Sequence, residues 1–461
     1  MGMFKKILIA NRGEIAVRIL KACRELGIPA ATVYSEADRE ALHVVSSPEA
    51  HLIGPAPALK SYLNMAEIIR VARSCGADAI HPGYGFLAEN AGFAGACAGA
   101  GIAFIGPGPE AIAQMGLKVQ SRRLAREAGV PVVPGSGGAL ETLAEARAQA
   151  SRLGYPVMLK ASAGGGGIGL QLVLREENLE RAYKTCRERA AAGFGNPGVY
   201  LEKYIARPRH VEIQVFADKQ GNVIYLGERE CSVQRRHQKI MEESPSPLAD
   251  DVLRARMGED AVRLAGSIGY LGAGTVEFLV DDAKNHYFLE MNTRLQVEHP
   301  VTETVTGIDL VIEQIRVAAG CPLSVRQEDV KIKGHSLECR LYAEDPSNFR
   351  PSTGVLEEAR FPAAEKIRVD RGVQRGYRVT PYYDSLLAKV ISRGDTREES
   401  LDLMRDALKE IKITGVKTNI DLLIKVIAHP EFRKGNLSTD FIERFAGCLL
   451  GRASSGKAVG N

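Results

Sequence analysis

Glu277 and Glu290 are the carboxylates whose spacing says most about chemistry. Residues 274–280 and 286–291 read as strands joined by the polar turn 281–285, and a hairpin closed on that turn brings the two glutamates opposite each other. Like charges so opposed destabilise a sheet, and a divalent cation between them reverses the sign of the interaction. Two carboxylates with few other protein ligands suit Mg²⁺ (or Mn²⁺) when nucleotide phosphates complete the coordination. Asn292 shares the face of Glu290 and adds a carbonyl oxygen. The same parity runs on through Arg294, Gln296 and Glu298, with Met291, Thr293, Leu295 and Val297 on the other side. Alternation alone usually marks a solvent-facing strand. A Glu/Glu/Asn set leading directly into Arg, Gln and Glu is more than solvation requires.

A second constellation is the run Gly164 to Gly167, with Gly169 after it, which satisfies GxGxxG. The dinucleotide reading of that pattern needs a helix straight after the loop. Leu170-Gln171-Leu172-Val173-Leu174 follows instead, and residues 157–160 before the loop are also strand-like. The glycines therefore tip a β-hairpin, where their backbone amides can approach phosphate oxygens closely. A flexible tip without function would carry the entropic cost of so many glycines for nothing. The absence of GK[ST] excludes a P-loop. Lys160 ends the entering strand and is a candidate phosphate contact, although a lone lysine is more often a surface residue. The basic run Gln234-Arg235-Arg236-His237-Gln238-Lys239 has no aromatic residue for base stacking and fits an anion site better than nucleic acid. Cys231 nearby reads as a packed, inert thiol.

The elements that must position these groups begin with alternating strands and helices. Residues 6–10 and 30–34 read as strands around a helix over 14–26, and the alternation continues through Ile80 and Phe104. An open parallel sheet is expected, with ligand loops at the carboxyl ends of its strands, here Asn11-Arg12-Gly13-Glu14 and His81-Pro82-Gly83-Tyr84-Gly85. Pro107-Gly108-Pro109 closes this region, hairpin patterns run to about Gly320, and a polar connector leads to a third, mixed region with a helix over 397–412. The chain of 461 residues exceeds one hydrophobic core. Its net charge of +4 argues against nucleic acid or a membrane as bulk partner. Eight scattered Cys without a CxxC pair suit a reducing cytoplasm, and no secretory h-region or membrane span is visible.

Longer motifs carry a resemblance. KILIANRGEIAVRI from Lys6, HPGYGFLAEN from His81, EKYIARPRHVEIQ from Glu202, ERECSVQRRHQK from Glu228 and EMNTRLQVEHPVTE from Glu290 resemble biotin carboxylase signatures. GHSLECRLYAEDP from Gly334 and TPYYDSLLAKVI from Thr380 do so too, so the likeness covers about residues 4–445. It implies an α/β and α+β architecture in three parts. These are a Rossmann-like N-terminal domain (1–114), an ATP-grasp domain (115–320, with a glycine-rich β-hairpin lid over about 132–204) and a mixed C-terminal domain (335–447), followed by a tail (448–461).

The resemblance also implies roles. Lys118, Lys160 and the flap glycines Gly165, Gly166 and Gly167 match phosphate contacts, and Glu202, Lys203 and Ile205 match the stretch that holds adenine. His210, Gln234 and His237 match nucleotide-site positions, and Glu277, Glu290 and Asn292 the metal set. Lys239, Arg294, Gln296, Val297 and Glu298 match the bicarbonate pocket, Arg340 the group that stabilises biotin's enolate, and Tyr84 lies near the biotin site. In the implied reaction Glu298 deprotonates bicarbonate and the carbonate attacks the γ-phosphate of ATP. Carboxyphosphate then yields CO₂ and phosphate, the phosphate takes biotin's ureido proton, and the enolate attacks CO₂. Implied partners are a biotin carboxyl carrier protein or domain, a carboxyltransferase subunit, and a second copy in a homodimer. A related ATP-grasp ligase would lack the Arg340 region, and a non-catalytic nucleotide-binding regulator would have no use for Glu298, Lys239 and Arg340 together. The final carboxyl acceptor is a property of the transferase.

No Met-Lys-Met occurs in the chain, so biotin is expected on a separate carrier; a streptavidin blot of the pure protein should be blank, and a strong covalent signal would refute this. Many relatives carry Asp where Leu117 stands and Arg or Lys where Ile168 stands. The flap's anion donors are backbone amides, and an exposed extra charge is worth little in water. Native protein and Ile168→Arg should therefore both turn over with bicarbonate and biotin, differing mainly in KM for ATP. Turnover seen only in Ile168→Arg would favour the regulator.

Overall fold

The computed structural model describes residues 2–162 and 169–451. Gly164, Gly165, Gly166, Gly167 and Ile168 lie outside the described residues.

The first strands are Ile7–Ile9 (β1), Ala30–Tyr34 (β2), Ala50–Leu52 (β3), Ala79–His81 (β4) and Ala103–Phe104 (β5). They form a parallel sheet in the order β3-β2-β1-β4-β5. The helix Gly13–Glu25 buries Ile15, Ile19, Leu20 and Cys23, the stripe its helical spacing demands. Since β1 and β4 are neighbours in the middle of the sheet, their following loops meet at its carboxyl edge, where such sheets bind ligands. Asn11 ties them together, its Nδ2 donating to Pro82 O at 2.6 Å and to Tyr84 O at 2.8 Å. Gly83 lies at φ +63°, where other residues are strained, and a Cβ there would meet Asn11 Nδ2 at 2.9 Å and displace the amide that joins the two loops.

Val157–Ala161 (β6), Leu170–Val173 (β7) and Val199–Lys203 (β8) form a small sheet in the order β7-β6-β8. β6 and β7 pair antiparallel with Lys160 opposite Leu170. The strands flanking the glycine run therefore make a hairpin, and the dinucleotide reading fails because a strand, not a helix, follows.

The largest sheet contains Arg209–Ala217 (β9), Val223–Arg235 (β10), Gln238–Ser244 (β11), Gly272–Val280 (β12), His286–Asn292 (β13) and His335–Tyr342 (β14). Gly354–Val355 (β15) and Glu358–Arg360 (β16) follow, then Ile367–Arg371 (β17), Arg378–Val379 (β18), Leu386–Gly394 (β19) and Lys412–Thr414 (β20). The order is β13-β12-β9-β10-β11-β14-β19-β17, while β15 pairs with β18 and β16 with β20. The polar connector after Gly320 does not interrupt this sheet, because β11 pairs with β14 across it. The central and C-terminal parts thus share one framework. The helix Arg397–Glu410 packs Leu401, Met404 and Leu408 onto it.

Two expectations need correction. The alternation from Glu290 to Glu298 is extended strand only as far as Asn292. Glu298 is instead the N-terminal cap residue of the helix His299–Thr306, started by Pro300, whose fixed φ and missing N–H suit a first turn. Glu277 does face Glu290, but not through hairpin symmetry. Phe278 pairs with Phe288, and a register irregularity between Phe278 and Glu277 advances the partner strand past Leu289. Bulges of this kind re-aim side chains beside active sites. Among the described residues no helix is long and apolar enough to cross a membrane.

Candidate active site

A cleft of about 1040 Å³ opens between the carboxyl edge of the parallel sheet, the small lid sheet and the large antiparallel sheet. Every candidate side chain among the described residues, from Tyr84 to Arg340, lines it.

At its floor three carboxylates lie in a row across three strands, Glu212 on β9 facing Glu277 on β12, which faces Glu290 on β13. Lys239 reaches in from β11, with Nζ 2.6 Å from Glu212, 2.9 Å from Glu277 and 2.7 Å from Glu298. Burial alone would discharge this ammonium, but the three carboxylates outweigh it and hold its pKa well above the usual lysine range. Glu277 also lies 2.9 Å from His210 Nε2 and accepts from Asn292 Nδ2 at 2.9 Å and Gln296 Nε2 at 3.0 Å. Burial would raise its pKa, yet Lys239 and His210 keep it well below the carboxylate range.

Glu290 is more open and behaves in the opposite way. Burial and the charge of Glu277 raise its pKa, and among the described residues its one ion-pair partner is Lys118, at 3.7 Å. A carboxylate pair with one member poorly compensated is a site a hard cation would relieve. Asn292 Oδ1, which now accepts from Arg294 at 3.1 Å, offers a third oxygen. These groups fit Mg²⁺ or Mn²⁺, which would supply charge neutralisation at phosphate oxygens.

Glu298 is fully buried between two cations, Lys239 and Arg340, the latter with Nη2 2.9 Å from Oε2. Burial pushes its pKa up, but Lys239, Arg340 and Arg229 drive it well below the carboxylate range. It is a carboxylate with one face toward the cleft, which a general base must be. Arg294 spans the opening, from Glu89 at 2.6 Å to Gln296 Oε1 at 2.8 Å. Val297 O accepts from the buried Lys389 at 2.8 Å, and the Tyr84 hydroxyl donates to Glu14.

The opposite wall belongs to the lid and its neighbours. Glu202 on β8 is ion-paired with both Arg122 and Lys160. Burial and the charges of Lys118 and Arg122 lower Lys160 to about 7. Lys203 ends β8, whereas Ile205 lies beyond it, outside any strand. Gln234 bonds His210 Nδ1 at 2.9 Å from the end of β10. His237 occupies the tight β10–β11 turn with Arg236, at φ +66° and +49°. Arg235 is not free for anions, since it pairs with Glu344 at 2.6 Å. Cys231 is buried, and burial raises its thiol pKa, so it is inert.

The sequence reading missed three groups. Glu212 and Glu242 contact Lys239 and Arg340, and Arg229 fixes Glu212 at 2.5 Å from full burial. Glu212 could have been found, because HVEIQ has the same alternation and lies inside a motif already singled out.

Comparison with known proteins gives a consistent result. The profile "Biotin carboxylase, N-terminal domain" matches residues 3–112, "Carbamoyl-phosphate synthase L chain, ATP binding domain" matches 118–326, and "Biotin carboxylase C-terminal domain" matches 338–444. Biotin carboxylase 1 of Bacillus subtilis is 54% identical over 445 residues, covering 96% of this chain and 99% of that one. The small subunit of 2-oxoglutarate carboxylase from Hydrogenobacter thermophilus is 50% identical over 442 residues, covering 96% and 93%. The biotin carboxylase domain dimer of Hydrogenobacter thermophilus 2-oxoglutarate carboxylase, solved with MgADP, ADP and bicarbonate, superposes with a TM-score of 0.93 at 49% identity, over 97% of this chain and 99% of that one.

If Glu290 and Glu277 share a cation, adding Mg²⁺ to the ADP-bound protein should raise its Tm further, and Glu290→Gln should lose most of that increment while keeping the response to ADP alone. An equal Mg²⁺ increment in both proteins would contradict the assignment.

Proposed function

The chain belongs to the biotin carboxylase family of ATP-grasp enzymes, and from that premise we propose how its residues divide the work. The protein is an ATP-dependent ligase that carboxylates biotin with bicarbonate, as one component of a multi-subunit biotin-dependent carboxylase.

The observation that carries the division of labour is the placement of Glu298, buried, ionised and clamped by Lys239 and Arg340 at the cleft floor. We assign Glu298 as the base that takes bicarbonate's proton. Lys239, Arg294, Gln296 and the backbone of Val297 hold the anion beside it. Lys118, Lys160 and the flap glycines Gly165, Gly166 and Gly167 take the phosphates, and Glu202, Lys203, Ile205, His210, Gln234 and His237 the rest of the nucleotide. Glu277, Glu290 and Asn292 hold the cation. Carbonate attack on the γ-phosphate forms carboxyphosphate, which breaks to CO₂ and phosphate. Catalysis up to that point is mostly positioning and charge stabilisation. Phosphate removes the ureido proton of biotin, Arg340 holds the enolate oxygen, and Tyr84 borders the biotin.

A base with so low a pKa is weak in isolation. It works because its proton comes from an anion held against Lys239 and Arg340, whose field favours the more negative carbonate. The single cleft must therefore serve both half-steps, since Arg340 touches the base and the enolate in turn.

As partners we propose a separate biotin carboxyl carrier protein or domain, a carboxyltransferase subunit that sets the acceptor, and a second copy of this chain in a homodimer. The near-balanced charge and the reduced, scattered cysteines support a cytoplasmic setting.

Replacing Glu298 by Gln keeps size and hydrogen bonding but removes the base. Bicarbonate-dependent ATP cleavage should fall ~10²–10⁴-fold while ATP binding persists; unchanged turnover would mean that the base lies elsewhere.

A further inference from the structure

Beside Arg340, outside the lining of the cleft, lies a second pair of opposed carboxylates that the reaction does not use. Glu242 on β11 and Glu338 on β14 face each other in antiparallel register, with 1% and 0% of their surface exposed. Directly opposed residues in such a pair have side chains in contact range, and two buried like charges there are strongly unfavourable. Glu277 and Glu290 are opposed in the same way, but they open on the cleft.

The charges around this inner pair are unevenly shared. Arg340 Nη2 lies 2.6 Å from Glu242 Oε1 and 2.9 Å from Glu298 Oε2, so the guanidinium is divided between Glu242 and the base. No carboxyl oxygen of either glutamate meets a well-aligned hydrogen-bond donor among the described residues, and Glu338 lacks even the close guanidinium that Glu242 has. Lys389, the other cation whose charge Glu338 feels most, is committed to Val297 O at 2.8 Å and Glu14 at 3.3 Å. The remaining charged groups felt by the pair are Lys239 and Glu298. Cys231, Cys339 and Tyr342 are buried beside it and held neutral by that burial. His299, from the helix packed against these strands, is likewise kept neutral by burial.

An ionised, donorless carboxylate in such a place would cost several kcal/mol. We infer that Glu338 is carried as the neutral acid, donating its proton to Glu242, and that this proton-sharing pair is the positioning support that holds Arg340 beneath Glu298. The pair leaves Glu242 with one negative charge, enough to anchor Arg340 without drawing it off the base. Were Glu338 ionised as well, the doubled charge would pull the guanidinium away from Glu298 and from the enolate site. Burial raises both carboxyls in agreement with this, Glu242 to about 7. The inference rests on the role proposed for Arg340, whereas the location of the proton stands independently of it.

The sign of the pH dependence follows from linkage. A carboxyl whose folded pKa exceeds its unfolded value of 4.5 binds a proton on folding, so its contribution is full below that value and is lost as pH rises through the folded one. The Tm of the native protein should therefore fall as pH rises above about 5, and Glu338→Gln should fall less, because the amide needs no proton. Glu338→Ala should lower biotin-dependent kcat by about tenfold to a hundredfold, as small misplacements of catalytic groups do, with KM for ATP unchanged. Glu338→Gln should restore most of that loss. Parallel Tm curves, or a Gln variant as slow as the Ala variant, would overturn the inference. If the variants do not fold, neutron diffraction from deuterated native crystals decides, since a deuteron on the Glu338 carboxyl supports the pair and two bare carboxylates refute it. Native turnover in Arg340→Gln with that deuteron present would remove the role given to Arg340 and leave the proton where it is.

Discussion

The structure depends on one buried cation. Lys239 lies within 3 Å of Glu212, Glu277 and Glu298, carboxylates delivered by two other strands and by a helix start. Removing that ammonium would leave three negative charges crowded in a low-dielectric floor, where unpaired charge is costly. With it, Glu298 stays ionised although fully buried, and Glu277 stays ionised beside Glu290. Arg229 donates directly to Glu212 and is itself held by donating to Gln214, Thr275 and Thr302, which opposes any shift of Glu212 onto the lysine.

The large sheet exists to hold this arrangement at fixed spacing. Glu212, Glu277 and Glu290 come from three adjacent strands, Lys239 from a fourth and Arg340 from a fifth. Strand spacing and register, not loop conformation, set their separations, which gives a more exact placement than loops could. The parallel sheet contributes through the loop after β4, which carries Tyr84, and the first turn of the helix after β1, which carries Glu14, and Lys389 joins Glu14 to Val297 O. The cleft thus opens between the large sheet and the lid.

Much of this was legible in the sequence, for identifiable reasons. Strand parity gave the face shared by Glu290 and Asn292, and the strand after the glycines separated a hairpin from a dinucleotide fold. The helix Gly13–Glu25 agreed with its apolar spacing to within a residue. The parity of Arg294, Gln296 and Glu298 placed them near one another, although the chain there is not a strand. Their convergence comes from the turn that leads into Pro300. Periodicity cannot show a bulge, so the route by which Glu277 meets Glu290 was hidden. The pairing of Glu242 with Glu338 was hidden for a different reason, although Glu338 stands in a motif already singled out. Their importance comes from pairing between β11 and β14, about a hundred residues apart, across a connector that reads as a boundary.

The claim that Lys239 keeps the buried base ionised is tested most directly by the acid limb of the pH profile of kcat/KM for bicarbonate, in native protein and in Lys239→Gln. With the ammonium gone, burial should dominate the titration of Glu298, and the limb should move up by at least about one pH unit, equivalent to about 1.4 kcal/mol. A lower rate with the limb in its native position would mean that Lys239 binds the anion without tuning the base, and would contradict the account.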